Sequence, residues 1–310
     1  MISLACELAG VRFANPIWAA SGTFGFGRPY ADLYPLRKLG AIVSKGLTVR
    51  PRTGNSGTRL YETPSGIMNS IGLENPGIRA FLERELPEMT TYGTAVIVNL
   101  GGGSIPEYVE GARLLDDYCQ WLQASGQKAV DMLELNISCP NVKEGGLAFG
   151  LDTEQARKLV KEVRQATSLP LIIKLAPGAR DLTEMARMCE YEGADGVSLI
   201  NTIQAMAIDI RQRRSVFDRA YAGLSGPAIK PIALRMVHQV ARAVSIPVVG
   251  VGGISSASDI VEFVMAGATA VQIGTYNMMN LRAGDTLAEQ LIELMNEEGI
   301  MSLEEIRGII

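Results

Sequence analysis

The chain has 310 residues, of which 47% are hydrophobic and 20% charged, and its formal net charge is −4. That balance lacks the basic footprint of a nucleic-acid-binding protein, and no apolar run approaches the ~18 residues needed to span a bilayer. The opening MISLACELAGVRF has neither the charged n-region nor the apolar h-region of a signal peptide, so a cytoplasmic protein is expected, with no nucleic-acid or membrane partner.

In chain order, SLACEL and VRFANP read as an N-terminal β-hairpin. It is followed by short apolar, β-rich runs at 15–21, 40–46, 95–100, 131–138, 170–176, 196–201, 246–253 and 269–275. Helical patterns lie between and after them, near 31–38, 76–86, 106–123, 153–167, 181–191, 228–243, 257–266 and 284–297. Near-continuous apolar runs are the mark of strands buried on both faces, as in a parallel sheet covered by helices. Eight β/α units are the number for a TIM barrel, with a doubly wound sheet as the competitor. The hairpin is placed to cap the barrel floor. No low-complexity segment or break in composition divides the chain, so one domain over 1–310 is expected. The longest irregular stretches, 47–74 and 202–227, read as inserted active-site loops, since loops of that length in a compact domain are usually functional. The Arg211, Arg213, Arg214 cluster in the second reads as a solvated face.

Four cysteines, at 6, 119, 139 and 189, have no C-x-x-C spacing, and His238 is the one histidine. No metal site or iron–sulfur cluster is expected from this chain alone. His238 falls in the helical pattern ALRMVHQVARAV and reads as a helix-surface residue, and there is no G-x-S-x-G elbow for a serine triad.

In a TIM barrel the chemistry gathers at the C-terminal ends of the strands. Here those ends carry Ser21, Lys45, Asn99, Asn136, Lys174 and Asn201, then Gly252-Gly253 and Gly274-Thr275. Three asparagines and two lysines at matching positions suggest convergence on one ligand. The glycine ends suit a phosphate, which such barrels often bind with the loops after strands 7 and 8. GVGGIS fails the G-x-G-x-x-G spacing, so direct NAD binding is disfavoured. A phosphorylated ligand among amides and lysines suits flavin mononucleotide (FMN). Asn99 and Asn136 can each offer donor and acceptor to its pyrimidine edge, and Lys174 can stabilise negative charge near N1 and the C2 carbonyl. A Schiff-base lysine is the alternative for Lys174.

Five segments, NSIGLENPG (69–77), LNISCPN (135–141), IIKLAP (172–177), LINT (199–202) and GVGGI (250–254), resemble the class 1 dihydroorotate dehydrogenases. The resemblance covers essentially the whole chain. SKGLTVRPRTGN (44–55) and the basic loop after LINT are closer to NAD-linked class 1B catalytic subunits than to fumarate-linked class 1A. The absence of a membrane-associating extension and a cysteine at the base position both disfavour class 2, which uses serine there.

The resemblance implies oxidation of (S)-dihydroorotate to orotate in pyrimidine biosynthesis. Cys139, on a lid-like loop 139–150 with hinges at Gly145 and Gly146, is implied as the base taking the C5 proton, and FMN as acceptor of the C6 hydride. Lys45, Asn69, Ser70, Ile71, Gly72, Leu73, Asn136, Asn141, Asn201 and Thr202 are implied to hold substrate. Ser21, Lys45, Gly46, Asn99, Asn136, Lys174, Ile200, Gly226, Gly252, Gly253, Gly274 and Thr275 are implied to hold FMN. The class also implies a partner electron-transfer subunit carrying FAD and a [2Fe–2S] cluster, joined to a homodimer core in a heterotetramer. The competing readings are a related flavin-dependent dihydropyrimidine or dihydrouridine reductase, a Schiff-base lyase using Lys174 or Lys45, and a non-catalytic phosphate-binding barrel.

Overall fold

A computed structural model describes residues 2–138 and 149–310. Eight strands close a parallel barrel. In chain order they are β1 (Ile17–Ala19), β2 (Ala41–Val43), β3 (Ala95–Leu100), β4 (Met132–Asn136), β5 (Leu171–Lys174), β6 (Gly196–Leu199), β7 (Val248–Val251) and β8 (Ala270–Ile273), and β8 pairs back onto β1. This is the expected TIM barrel. Most of these strands are buried along their whole length, as their apolar runs require. Helices Ile105–Ala124, Thr153–Arg164 and Leu182–Tyr191 start on side-chain caps: Ser104 accepts from the Glu107 N–H, and Asp152 and Asp181 each accept from two amides of the first turn.

The barrel interior follows the two-residue period of a strand. Its lower layers are apolar: Trp18, Ala41, Val43, Ile97, Met132, Ile172, Val249 and Ala270 form one buried cluster. The expected hairpin, Cys6–Leu8 paired antiparallel with Val11–Phe13, joins that cluster through Leu8 and Phe13 and so plugs the barrel floor. The larger apolar layer lies between strands and helices. Barrel closure brings neighbouring chain very near: a Cβ on Gly40 would lie 1.9 Å from the Asn15 carbonyl oxygen. Gly40→Ala is therefore expected to lower stability by about 2–3 kcal/mol, because backbone must shift to admit the methyl; denaturant unfolding of the purified variant measures it.

The structure corrects the reading of 47–74 and 202–227 as irregular. Strands Leu60–Thr63 and Gly66–Asn69 from the first pair with Ala222–Ser225 and Ile203–Ala205 from the second in a four-stranded antiparallel sheet, and Ile208–Asp209 with Arg214–Ser215 forms a small ladder. Arg211, Arg213 and Arg214 are exposed, in keeping with a solvated face. His238 lies on helix Lys230–Ala241, its Nε2 3.1 Å from the Ile310 carbonyl oxygen. Cys119 and Cys189 are buried, and burial pushes both thiols above their ordinary range. Among the described residues no helix is long and apolar enough to cross a membrane, and no cluster of His, Cys, Asp and Glu could hold a metal ion.

Candidate active site

Above the apolar plug, the inward positions of the same strands turn polar. One step of two residues leads from Ile97 to Asn99, Met132 to Glu134, Ile172 to Lys174 and Ala270 to Gln272, and a second leads from Glu134 to Asn136. A cavity of about 740 Å³ opens over this layer, a size usual for a cofactor or small-ligand site. Its lower lining includes Ser21, Lys45, Gly46, Asn99, Asn136 and Lys174, and its side toward β6, β7 and β8 includes Ile200, Gly226, Gly252, Gly253, Gly274 and Thr275. Asn69, Ser70, Ile71, Gly72, Leu73, Asn201 and Thr202 line it as well. The structure thus gathers every proposed site residue among those described. Cys139 and Asn141 lie outside the described residues; Ser138, the neighbour of Cys139 in the chain, lines the cavity. The antiparallel sheet supplies a wall, with Asn69 donating from Nδ2 to the Gly223 carbonyl at 3.3 Å. At Leu73, φ is +56°, and Asn75 clamps this turn: its Nδ2 donates to the Leu73 carbonyl, while its Oδ1 accepts from the Thr48 and Gly77 amides.

The floor is a closed polar network. Glu134, fully buried, accepts from Asn99 Nδ2 at 2.7 Å, from Ser198 Oγ at 2.9 Å and from Gln272 Nε2. Lys174 Nζ lies 3.5 Å from Glu134 Oε1 and donates to Ser21 Oγ at 3.1 Å and Gln272 Oε1 at 3.4 Å. Asn99 was expected to offer both donor and acceptor upward. The structure corrects this, since its amide nitrogen is committed to Glu134 and its Oδ1 is a buried acceptor with no partner. A Cβ on Gly46 would sit 2.9 Å from that oxygen, which places it at the cavity lining. Asn136 has the opposite polarity. Its Oδ1 accepts from the Ser138 amide at 3.2 Å and Asn201 Nδ2 at 3.4 Å, which leaves its Nδ2 as the donor available to a ligand.

Lys45, half-buried, is pushed below the ordinary lysine value by loss of solvent; the Glu74 carboxylate opposes that shift and the Arg59 guanidinium adds to it. Glu74 is itself ion-paired with Arg59.

At the glycine end, φ is +134° at Gly252 and +76° at Gly253, and a Cβ on Gly253 would lie 2.7 Å from the Lys230 backbone nitrogen. Only glycine fits such a close, left-handed turn. Among the described residues no hydrogen bond is donated by the backbone N–H of Gly252, Gly253, Gly274 or Thr275. All four residues line the cavity, so these amides are available to a phosphate there. The serines that follow do not add to them, because the amides of Ser255 and Ser256 donate to Asp259 at 2.8 and 3.0 Å within a capping box.

Glu134, Ser198, Gln272 and Asn75 were missed in the sequence. A signal for Glu134 was there: in LELN, the glutamate and Asn136 sit two residues apart and so share the inward face.

A family model described as dihydroorotate dehydrogenase matches residues 3–295. The chain is 51% identical over 310 residues to the catalytic subunit of dihydroorotate dehydrogenase B (NAD(+)) of Petrotoga mobilis, covering all of both chains. It is 50% identical over 307 residues to the protein of that name from Thermoanaerobacter pseudethanolicus, covering 99% of this chain and 98% of the relative. For Geotalea uraniireducens the identity is 49% over 305 residues, covering 98% and 97%.

Proposed function

The chain belongs to the dihydroorotate dehydrogenase family, and from that premise we propose that it is the FMN-bearing catalytic subunit of an NAD-linked enzyme that oxidises (S)-dihydroorotate to orotate for pyrimidine synthesis. The observation that carries the cofactor reading is the polarity of the cavity floor. The pyrimidine edge of a flavin presents two carbonyl acceptors and one N–H donor. Lys174 and the Asn136 amide nitrogen are donors, and the orphaned Asn99 Oδ1 is a buried acceptor, so the donor set fits. The amides of Gly252, Gly253, Gly274 and Thr275 suit the phosphate at the other end. Bound there, FMN supplies the acceptor for the hydride that leaves C6 of the substrate.

The chain's own residues do the rest. Lys45 and the amides of Asn69, Asn136, Asn141 and Asn201 orient an anionic, planar substrate rich in donors and acceptors. Cys139 takes the C5 proton. The word "subunit" in the relatives' name fits a partner that carries electrons onward to NAD; our reading gives that partner the FAD and [2Fe–2S] cluster and joins it to a homodimer core in a cytoplasmic heterotetramer. We read residues 1–310 as one flavin-binding barrel domain. The lyase reading is disfavoured for Lys174: a nucleophilic lysine is activated by an apolar pocket or a second cation, whereas Lys174 faces the Glu134 carboxylate.

The test is optical. Protein incubated with FMN and desalted is expected to be yellow, to bleach anaerobically with dihydroorotate but not with dihydrouracil, and to recolour with NAD once the partner is added. A colourless protein would remove the flavin reading; equal bleaching by dihydrouracil would favour a dihydropyrimidine reductase, and recolouring by fumarate alone the class 1A enzyme.

A further inference from the structure

We propose that Glu134, which does not line the cavity, is the positioning residue of the cofactor site: it fixes which end of the Asn99 amide meets the flavin, and it sets the charge behind Lys174. The proposal rests on the FMN reading above and deepens it.

Glu134 sits midway up β4, between Met132 in the apolar plug and Asn136 at the cavity, and is fully buried. Barrel interiors are filled mainly by branched apolar residues, and a buried carboxylate is costly unless its oxygens are satisfied. Three neutral donors and one ammonium converge on it. A carboxylate has only lone pairs to offer, so each neighbour must turn a hydrogen toward it. Asn99 therefore points its NH₂ at Glu134 and its oxygen at the Gly46 side of the cavity, where that oxygen has no partner. Gln272 is turned in the same way and offers its own oxygen to Lys174. One acceptor-only group thus determines the polarity of two amides and leaves the floor with an acceptor ready for the flavin N3–H.

The second consequence is electrostatic. Lys174 lines the cavity and Glu134 stands behind it. Reduction adds negative charge to the pyrimidine edge; the ammonium favours it and the carboxylate opposes it from farther away. At an effective dielectric of about 20, a unit charge one side chain away changes such an equilibrium about tenfold or more.

Glu134→Gln removes the charge and keeps both the side-chain size and an oxygen for Asn99. FMN bound to it is expected to favour the reduced over the oxidised state about tenfold more than in the wild type, a midpoint potential about 30 mV more positive for a two-electron couple. A midpoint that is unchanged or more negative in flavin-loaded Glu134→Gln, with the wild type yellow, overturns the electrostatic role. A wild type that takes up no FMN overturns the cofactor reading and this inference with it. The amide role is tested on the wild-type chain, whatever the variant's folding: N3-methylated FMN, which lacks the hydrogen that Asn99 Oδ1 would accept, is expected to bind at least about tenfold more weakly than FMN. Equal binding of the two flavins overturns the assigned polarity.

Discussion

Cys139→Ala is expected to remain yellow and to lose about 10²- to 10⁴-fold in the rate at which dihydroorotate bleaches it near neutral pH, the range attributed to a positioned general base. The described residues narrow the candidates for that base. Lys174 is engaged with Glu134 and Ser21, and Glu74 with Arg59. The one histidine is on helix Lys230–Ala241, with its ring at the Ile310 carbonyl rather than among the cavity-lining residues. Lys45 lines the cavity, and burial lowers its affinity for a proton; an anionic substrate gives it a different task, as counter-charge. The base proposed above is the thiol of Cys139, which follows Ser138 in the chain. A thiolate is the competent form, and a free thiol titrates near pH ~8.5, so the wild-type bleaching rate should climb as pH rises toward that value. Cys139→Ala should lose this climb along with the rate. Stopped-flow absorbance across pH measures both. A variant that bleaches at the wild-type rate would transfer the role to Lys45, and Lys45→Met would then show the loss.

The sequence carried the barrel because its strands are buried on both faces and so are written as unbroken apolar runs; β3 was read to its exact residues. The wall of the cavity was illegible for the opposite reason. Leu60–Thr63 and Gly66–Asn69 are short and largely exposed or half-buried, with no apolar run to betray them, and Gly66–Asn69 pairs with Ala222–Ser225 more than 150 residues away. Turn-like composition is what such segments show until the partner strand is in place. The strand-end asparagines and lysines stood out because polar groups that close apolar runs are rare. Their hydrogen-bond polarity was not legible, since an asparagine donates and accepts equally well until a neighbour commits one end. Glu134 commits Asn99, while the Ser138 amide and Asn201 commit Asn136. The site is therefore a list of residues in the sequence and a set of directed donors and acceptors only in the fold.

Lys174→Met carries the other large expected effect, and it reaches beyond the cofactor. Lys174 and Glu134 are both buried, with side chains 5% and 0% exposed. Removing one member of a buried ion pair leaves the other without its counter-ion, which typically costs 3–5 kcal/mol. Glu134 keeps its bonds to Asn99, Ser198 and Gln272, so the lower end, about 3 kcal/mol, is expected for the flavin-free protein. For a chain of this size that corresponds to roughly 4–5 °C in the thermal midpoint. FMN retention should fall as well, because the floor loses its cationic donor. Lys174→Met/Glu134→Gln separates the two effects. The second substitution removes the stranded buried charge and keeps a side-chain oxygen for the Asn99 amide, so the double variant should regain most of the lost midpoint. It should still hold FMN poorly, since the cationic donor has not returned. Thermal unfolding without flavin and the flavin-to-protein absorbance ratio after desalting measure the two effects independently. Recovery of FMN retention in the double variant would mean that Lys174 serves only to neutralise Glu134, and the cation at the pyrimidine edge would have to be sought in Lys45.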